Sequence, residues 1–203
     1  MAVLNRLVPP QLRTARVGGW LAVAMLALAV MLHSASAQAI AAPVELQASE
    51  SRVKAAFVYK FGDYVEWPAQ AFDAPDSPLV IGVVGDDTLA QELVRISQGH
   101  TIDGRRVAVK RMRHGDPLSG LHIVFIGASE ARRAAQAIEA GRTGHALTIT
   151  DTDDGLRLGS VINFVVVANK VRFDVALPSA DASGLKISSR LLAVARTVVE
   201  GAP

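Results

Sequence analysis

The chain has 203 residues, half of them hydrophobic, and no cysteine, so its stability comes from packing, and neither disulfides nor thiol chemistry is open to it. Its formal charge of +2 is set by the first 39 residues, which hold three arginines and no acid; beyond them 18 basic residues face 19 acidic ones. That near-neutral remainder excludes an electrostatic case for nucleic acid, whose binding needs Lys and Arg to displace phosphate counterions.

Residues 1–39 read as a signal peptide, because Arg13 and Arg16 precede an apolar run at 20–32 and small residues follow it. A run of 13 falls short of the roughly 20 apolar residues that a membrane-spanning helix needs. Cleavage after Ala37-Gln38-Ala39 or Ala35-Ser36-Ala37 is expected to release the rest as an exported chain with no lipid anchor and no membrane insertion. Residues 40–203 are then expected to form one domain, long enough to bury about two thirds of the surface its unfolded chain exposes.

Five of the ten aromatic residues crowd into VKAAFVYKFGDYVEWP at 53–68: Phe57, Tyr59, Phe61, Tyr64 and Trp67. The spacing of Val53, Phe57, Phe61, Tyr64 and Val65 predicts one apolar helix face, opened by Ser49 or Ser51 as N-cap and stopped by Pro68. At 100° per residue Tyr59 falls with Asp63 and Glu66 on the wet side. With Trp67 it is a candidate contact patch, since rings supply large area at low entropic cost.

A buried strand at 79–84 turns at Gly85 into a helix capped by Asp86 or Asp87. A turn at Asp103-Gly104 precedes a strand near 106–112, in which Val107 and Val109 alternate with polar residues. The apolar strand 121–127 leads through Ser129, an expected N-cap, into a helix closed by Gly141, and a fourth strand follows at 146–150. Residues 161–167 and 171–177 read as an antiparallel hairpin with Asn169 at positive φ. A terminal helix from Ser188 or Ser189 is expected to bury Leu191, Leu192, Val194 and Ala195. The class is α/β: a single-domain, mostly parallel sheet with an antiparallel C-terminal hairpin, flanked by helices.

Catalytic constellations do not emerge. GASEA at 127–131 places Ser129 on a strand-to-helix turn, as a nucleophile elbow does, but the last Gly is Ala131. Glu139 and His145 follow too closely for a separate acid strand and His loop. GVVGDD at 82–87 lacks the third Gly of a dinucleotide fingerprint and the Lys of a Walker loop, and Asp86 and Asp87 repel phosphate. DTDDG at 151–155 has the flavour of a calcium loop without its spacing or its closing Glu. His100, His114, His122 and His145 share no i, i+4 spacing, so no metal or cofactor site is expected.

Taken in order, VKAAFVYKFGDYVEWP, VVGDD, HIVFIGASE, TDTDDGLRLGSVINFVV and GLKISSRLLAVA resemble the YfiR family of small exported proteins across nearly all of residues 40–203. The resemblance implies a non-catalytic periplasmic regulator that binds the periplasmic region of an inner-membrane diguanylate cyclase, or a related sensor protein, and represses cyclic-di-GMP synthesis. It also implies a homodimer. Leu121 stands where relatives often carry Cys, and Gly159-Ser160 replaces a glycine pair, so thiol-based control does not carry over. On the residues alone, Tyr59 and Trp67 are candidates for the partner face, and Lys186 and Arg190 flank the terminal helix start, where they offer charge to an acidic loop. Two alternatives stay open: a sensor holding a small apolar ligand between the ringed helix and the sheet, and a serine hydrolase built on Ser129.

Overall fold

The computed structural model describes residues 45–201; the signal peptide expected over 1–39 and its expected cleavage sites lie outside them. A helix over 45–61 (α1) tightens into a 3-10 turn at Gly62–Tyr64. The chain continues through β1 (Val65–Glu66), β2 (Leu79–Val84), α2 (Asp87–Ser97), β3 (Thr101–Ile102), β4 (Arg105–Met112) and β5 (Ile123–Ile126). It then forms α3 (Ala134–Thr143), β6 (Leu147–Thr150), β7 (Ile162–Val167), β8 (Lys170–Ala176), α4 (Leu177–Ala182), β9 (Lys186–Ile187), α5 (Ser189–Leu192) and β10 (Thr197–Val199). Eight strands form one sheet in the order β10-β8-β7-β6-β5-β2-β4-β3, and β1 with β9 makes a separate ribbon.

The α/β class is as expected. The pairs β2 with β4, β2 with β5, β5 with β6, β6 with β7 and β8 with β10 are parallel, and β7 with β8 is the antiparallel hairpin. Strands β2 and β5 are apolar throughout because both sheet faces are covered there. Ile81, Val83, Ile123 and Phe125 enter the larger core, which includes residues of α1 and α2, while Val80, Val124 and Ile126 enter the smaller core under α3. Each fully buried side chain of this size contributes roughly 2 kcal/mol. Both hairpin turns hold two residues at positive φ, Asp103 with Gly104 and Ala168 with Asn169, the geometry that matches strand twist.

The ringed helix packs as four phenylalanines. Phe57 and Phe61 of α1 meet Phe164 of β7 and Phe173 of β8, with ring centroids 4.9 to 6.1 Å apart. These rings occupy the space between helix and sheet in which a small apolar ligand was one reading. The buried face is nevertheless rotated from the expected one: Val53 is 41% exposed, and Ser51, Lys54, Ala55, Val58 and Tyr59 are buried. Tyr59, expected on the wet side, is 7% exposed and donates its hydroxyl to Thr101 O at 3.2 Å. Helix arc alone misplaced it, because β3 covers that flank of α1.

Four boundaries also differ. α1 is already helical at residue 45, so neither Ser49 nor Ser51 is its N-cap; Ser51 Oγ instead donates to Asp86 Oδ2 at 2.9 Å. Asp86 does cap α2, its Oδ1 accepting from Leu89 N–H at 2.8 Å. Ser129 caps nothing: a 3-10 turn (Ala128–Arg133) follows β5, and Gly144 rather than Gly141 closes α3. The terminal helix is only Ser189–Leu192, and Val194 is exposed. Beyond it Thr197–Val199 pairs with β8, as its run of β-branched side chains favours, and Arg196 pairs with the buried Asp174.

Candidate functional site

In an open α/β sheet, ligands bind where the chain reverses strand order, at the carboxyl ends of the strands. Here that point lies between β2 and β5, since the chain leaves β2 for β4 on one side and returns to β5 on the other. The protein's own groups fill it. Gly85 and Gly127 come so close that a Cβ on Gly127 would stand 2.8 Å from Gly85 O. Ser129 Oγ donates to the same carbonyl at 2.9 Å.

From α1, Lys54 reaches Asp151 Oδ2 at 2.6 Å and also pairs with Glu50. Burial opposes the Lys54 ammonium, but its two carboxylates outweigh that and hold its pKa above the ordinary value. Burial pushes the Asp151 carboxyl up, with Lys54 only partly compensating. The asymmetry follows from partner number: Lys54 faces two acids and Asp151 one base. Asp151 Oδ1 and Thr152 Oγ1 are buried without a hydrogen-bond partner. One signal for this cluster was in the sequence: a lysine one helical turn before Val58, inside an apolar segment.

The fold does not bring Ser129 and His145 together. Ser129 follows β5, whereas His145 precedes the parallel strand β6, so the two stand at opposite ends of the sheet. His145 Nδ1 is bonded to Ser183 O at 2.9 Å.

The other end of the sheet carries an aromatic cluster that sequence reasoning missed. His122 is 5% exposed; its Nδ1 accepts from Val80 N–H at 3.0 Å, which makes Nε2 the donor to Ala71 O at 3.0 Å. Burial pushes its pKa down, and nearby Arg105 adds to that, so the ring is neutral at neutral pH. Phe72 stacks on it at 4.2 Å, and the Arg105 guanidinium sits 3.8 Å from the Phe72 ring centroid. Arg105 also donates to Ser77 O at 2.7 Å, and Trp67 Nε1 donates to His122 O at 3.0 Å. One histidine and one arginine thus fasten the segment 67–78 onto the sheet.

Two open clefts flank the β1–β9 ribbon. One, of about 600 Å³, is lined by Trp67, Phe72, Leu79, Ile102 and Arg105; the other, of about 670 Å³, by Asp63, Tyr64, Lys186 and Ser188. Val65, Glu66 and Asp103 line both, so the two run together across the ribbon. Register Val65↔Ile187 and Glu66↔Lys186 places Trp67 and Lys186 on adjoining parts of this face. Arg190 is exposed just outside it, its N–H donating to Ser188 Oγ at 3.3 Å. Tyr59 belongs to the core behind it. The ribbon was illegible because each strand has two residues.

No helix among the described residues is long and apolar enough to cross a membrane, and among them no cluster of His, Asp and Glu could hold a metal ion. No curated protein matches the chain. Residues 51–196 match the YfiR/HmsC-like family. The match opens at Ser51, where α1 touches the cap of α2, and closes at Arg196, where the chain joins β10 to Asp174. It therefore takes in both cores, the switch-point cluster and the ribbon clefts, and the chain belongs to the YfiR/HmsC-like family.

Proposed function

We propose that this protein is an exported, non-catalytic subunit that docks on the periplasmic sensor region of an inner-membrane diguanylate cyclase and represses cyclic-di-GMP synthesis, working as a homodimer. Family membership carries the reading, for the YfiR/HmsC-like family implies a periplasmic regulator of diguanylate cyclase signalling. What supports the choice of face is the pair of joined clefts, where an indole and an apolar floor are rimmed by Glu66, Asp103 and Lys186. A partly buried ring beside rim charges is the composition of an interface anchor. The switch-point crevice is the poorer choice, since Gly85 and Gly127 close on each other there and Lys54 and Ser129 are already bonded within the protein.

The test is genetic and biochemical together. Deleting the gene raises cellular cyclic-di-GMP, and the tagged protein recovers a membrane cyclase with a periplasmic loop from detergent extracts. Unchanged nucleotide levels in the deletion strain would remove the cyclase from the proposal.

A further inference from the structure

The sheet ends at β4 in an incomplete edge. β3 pairs with β4 only at Thr101↔Arg106 and Ile102↔Arg105, and no strand among the described residues continues along Val107–Met112. Ile102 and Arg105 flank a two-residue turn, so the backbone groups of Arg105 face β3. Alternation then turns the N–H and C=O of Val107, Val109 and Arg111 to that same edge, while the intervening residues face β2. The uncovered stretch is about 20 Å long at roughly 3.3 Å per residue. Val107 and Val109 on one face and Ala108 and Met112 on the other are only partly buried, for want of a neighbour.

This edge is strongly cationic. Arg106, Lys110 and Arg111 are exposed, Arg113 follows at once, and among the described residues none of the four forms an ion pair. Of the acids nearby, Asp116 Oδ2 accepts from Arg113 N–H, Glu92 serves Arg52 and Arg95, Glu130 lies 3.9 Å from His114 and from Arg133, and Asp103 in the β3–β4 turn pairs with none of the four. Like charges opposed across a seam disfavour pairing of β4 with a second copy of itself. The same charges favour a strand of opposite sign.

We propose that the open edge of β4 is a docking strand for an extended acidic segment of a partner protein, which adds to the sheet in line with β3. Three N–H groups and three C=O groups supply the pairing, and Arg106, Lys110 and Arg111 supply selectivity for acid over base. A polyanion such as nucleic acid satisfies the charges but leaves the backbone row unpaired, and so is disfavoured. The inference rests on the reading of this protein as one that docks on another; its test needs no cyclase, so the two fail separately.

The purified protein is titrated with a seven-residue peptide of alternating glutamate and valine, with its lysine counterpart, with the glutamate peptide N-methylated at alternate residues, and with inorganic polyphosphate. The glutamate peptide is expected to bind saturably and to slow hydrogen exchange at the amides of Val107, Val109 and Arg111. The lysine and N-methylated peptides are expected to do neither. Combining Arg106→Glu, Lys110→Glu and Arg111→Glu weakens binding by about tenfold or more, with the melting temperature nearly unchanged because all three are exposed. No binding of the glutamate peptide overturns the proposal. So does equal binding of the N-methylated peptide, or polyphosphate displacing the peptide with no change in amide protection, since either marks a plain anion patch.

Discussion

Lys54 of α1 and Asp151, the residue after β6, meet at 2.6 Å with side chains 8% and 11% exposed, a buried ion pair that ties the N-terminal helix to the carboxyl end of the sheet. Removing one partner strands a charge. Lys54→Ala is therefore expected to destabilise the fold by about 3 kcal/mol, read by urea unfolding, whereas Lys54→Met combined with Asp151→Leu recovers most of that loss. A double variant as unstable as the single one refutes this account of the pair.

The same pair sets a pH dependence. Asp151 is raised by burial, so the folded state holds its proton more tightly than the unfolded chain. Its contribution to stability is complete below the ordinary carboxylate pKa and is lost as pH rises through the raised value. Lys54 is raised above 10.5, so its contribution persists to alkaline pH and is lost only as pH passes its folded value. Asp151→Asn is expected to flatten the first decline in a melting-temperature profile, and an unchanged profile contradicts it.

His122 runs in the opposite direction. Its folded pKa lies below 6.5, so its contribution is present above that value and is lost as pH falls through the folded one. Protonating Nδ1 also removes the acceptor for Val80 N–H in the core. His122→Ala leaves that donor and the Ala71 carbonyl without their partner, at a cost of about 2 kcal/mol, and frees the segment 67–78. Wild-type stability is expected to fall as pH drops below about 6.5, with a slope that the variant lacks; equal slopes reject the role.

What the sequence made legible follows one physical divide. Segments whose fate is decided locally were read closely: β2 from its apolar run, a cap at Asp86 or Asp87, Asn169 at positive φ in the hairpin turn, the alternation that gives an α/β sheet. Segments decided by a distant partner were not. Thr197–Val199 continues a helical periodicity but becomes a strand because β8 offers an edge and Asp174 a counter-charge. Tyr59 shares a helix arc with Asp63, yet β3 closes over it. The β1–β9 ribbon joins residues over a hundred positions apart, and nothing local in Val65–Glu66 announces it. The aromatic count pointed to the right helix, while the cluster around His122 depends on three segments meeting.

Arg196 gives a direct test of that partner-dependence. Its Nε donates to Asp174 Oδ1 at 2.7 Å, and its backbone N–H donates to Phe173 O at 2.8 Å just before β10 begins. Arg196→Ala removes the side-chain tie and leaves the buried Asp174 alone. Hydrogen exchange at Thr197–Val199 is expected to speed up, with a lower melting temperature, while amides of β2 and β5 keep their protection. Unchanged exchange in β10 would show that strand pairing alone holds it.

The docking face predicts a pattern across four residues rather than one effect. Trp67 lines a cleft and gives its indole N–H to His122 O, so Trp67→Ala removes area from the face, with an expected loss of about tenfold or more in affinity for the cyclase's periplasmic region. Trp67→Phe keeps much of the ring and loses less. Lys186→Glu reverses a rim charge opposite Glu66 and is expected to slow association chiefly at low salt. Arg190→Glu, just outside the cleft, has a smaller effect. Tyr59→Phe removes only the bond to Thr101 O inside the protein, so it lowers stability modestly and leaves affinity intact. Surface plasmon resonance on the five variants distinguishes this face from any other: a protein that binds equally well without Trp67 but poorly without the Tyr59 hydroxyl does not dock by the ribbon clefts.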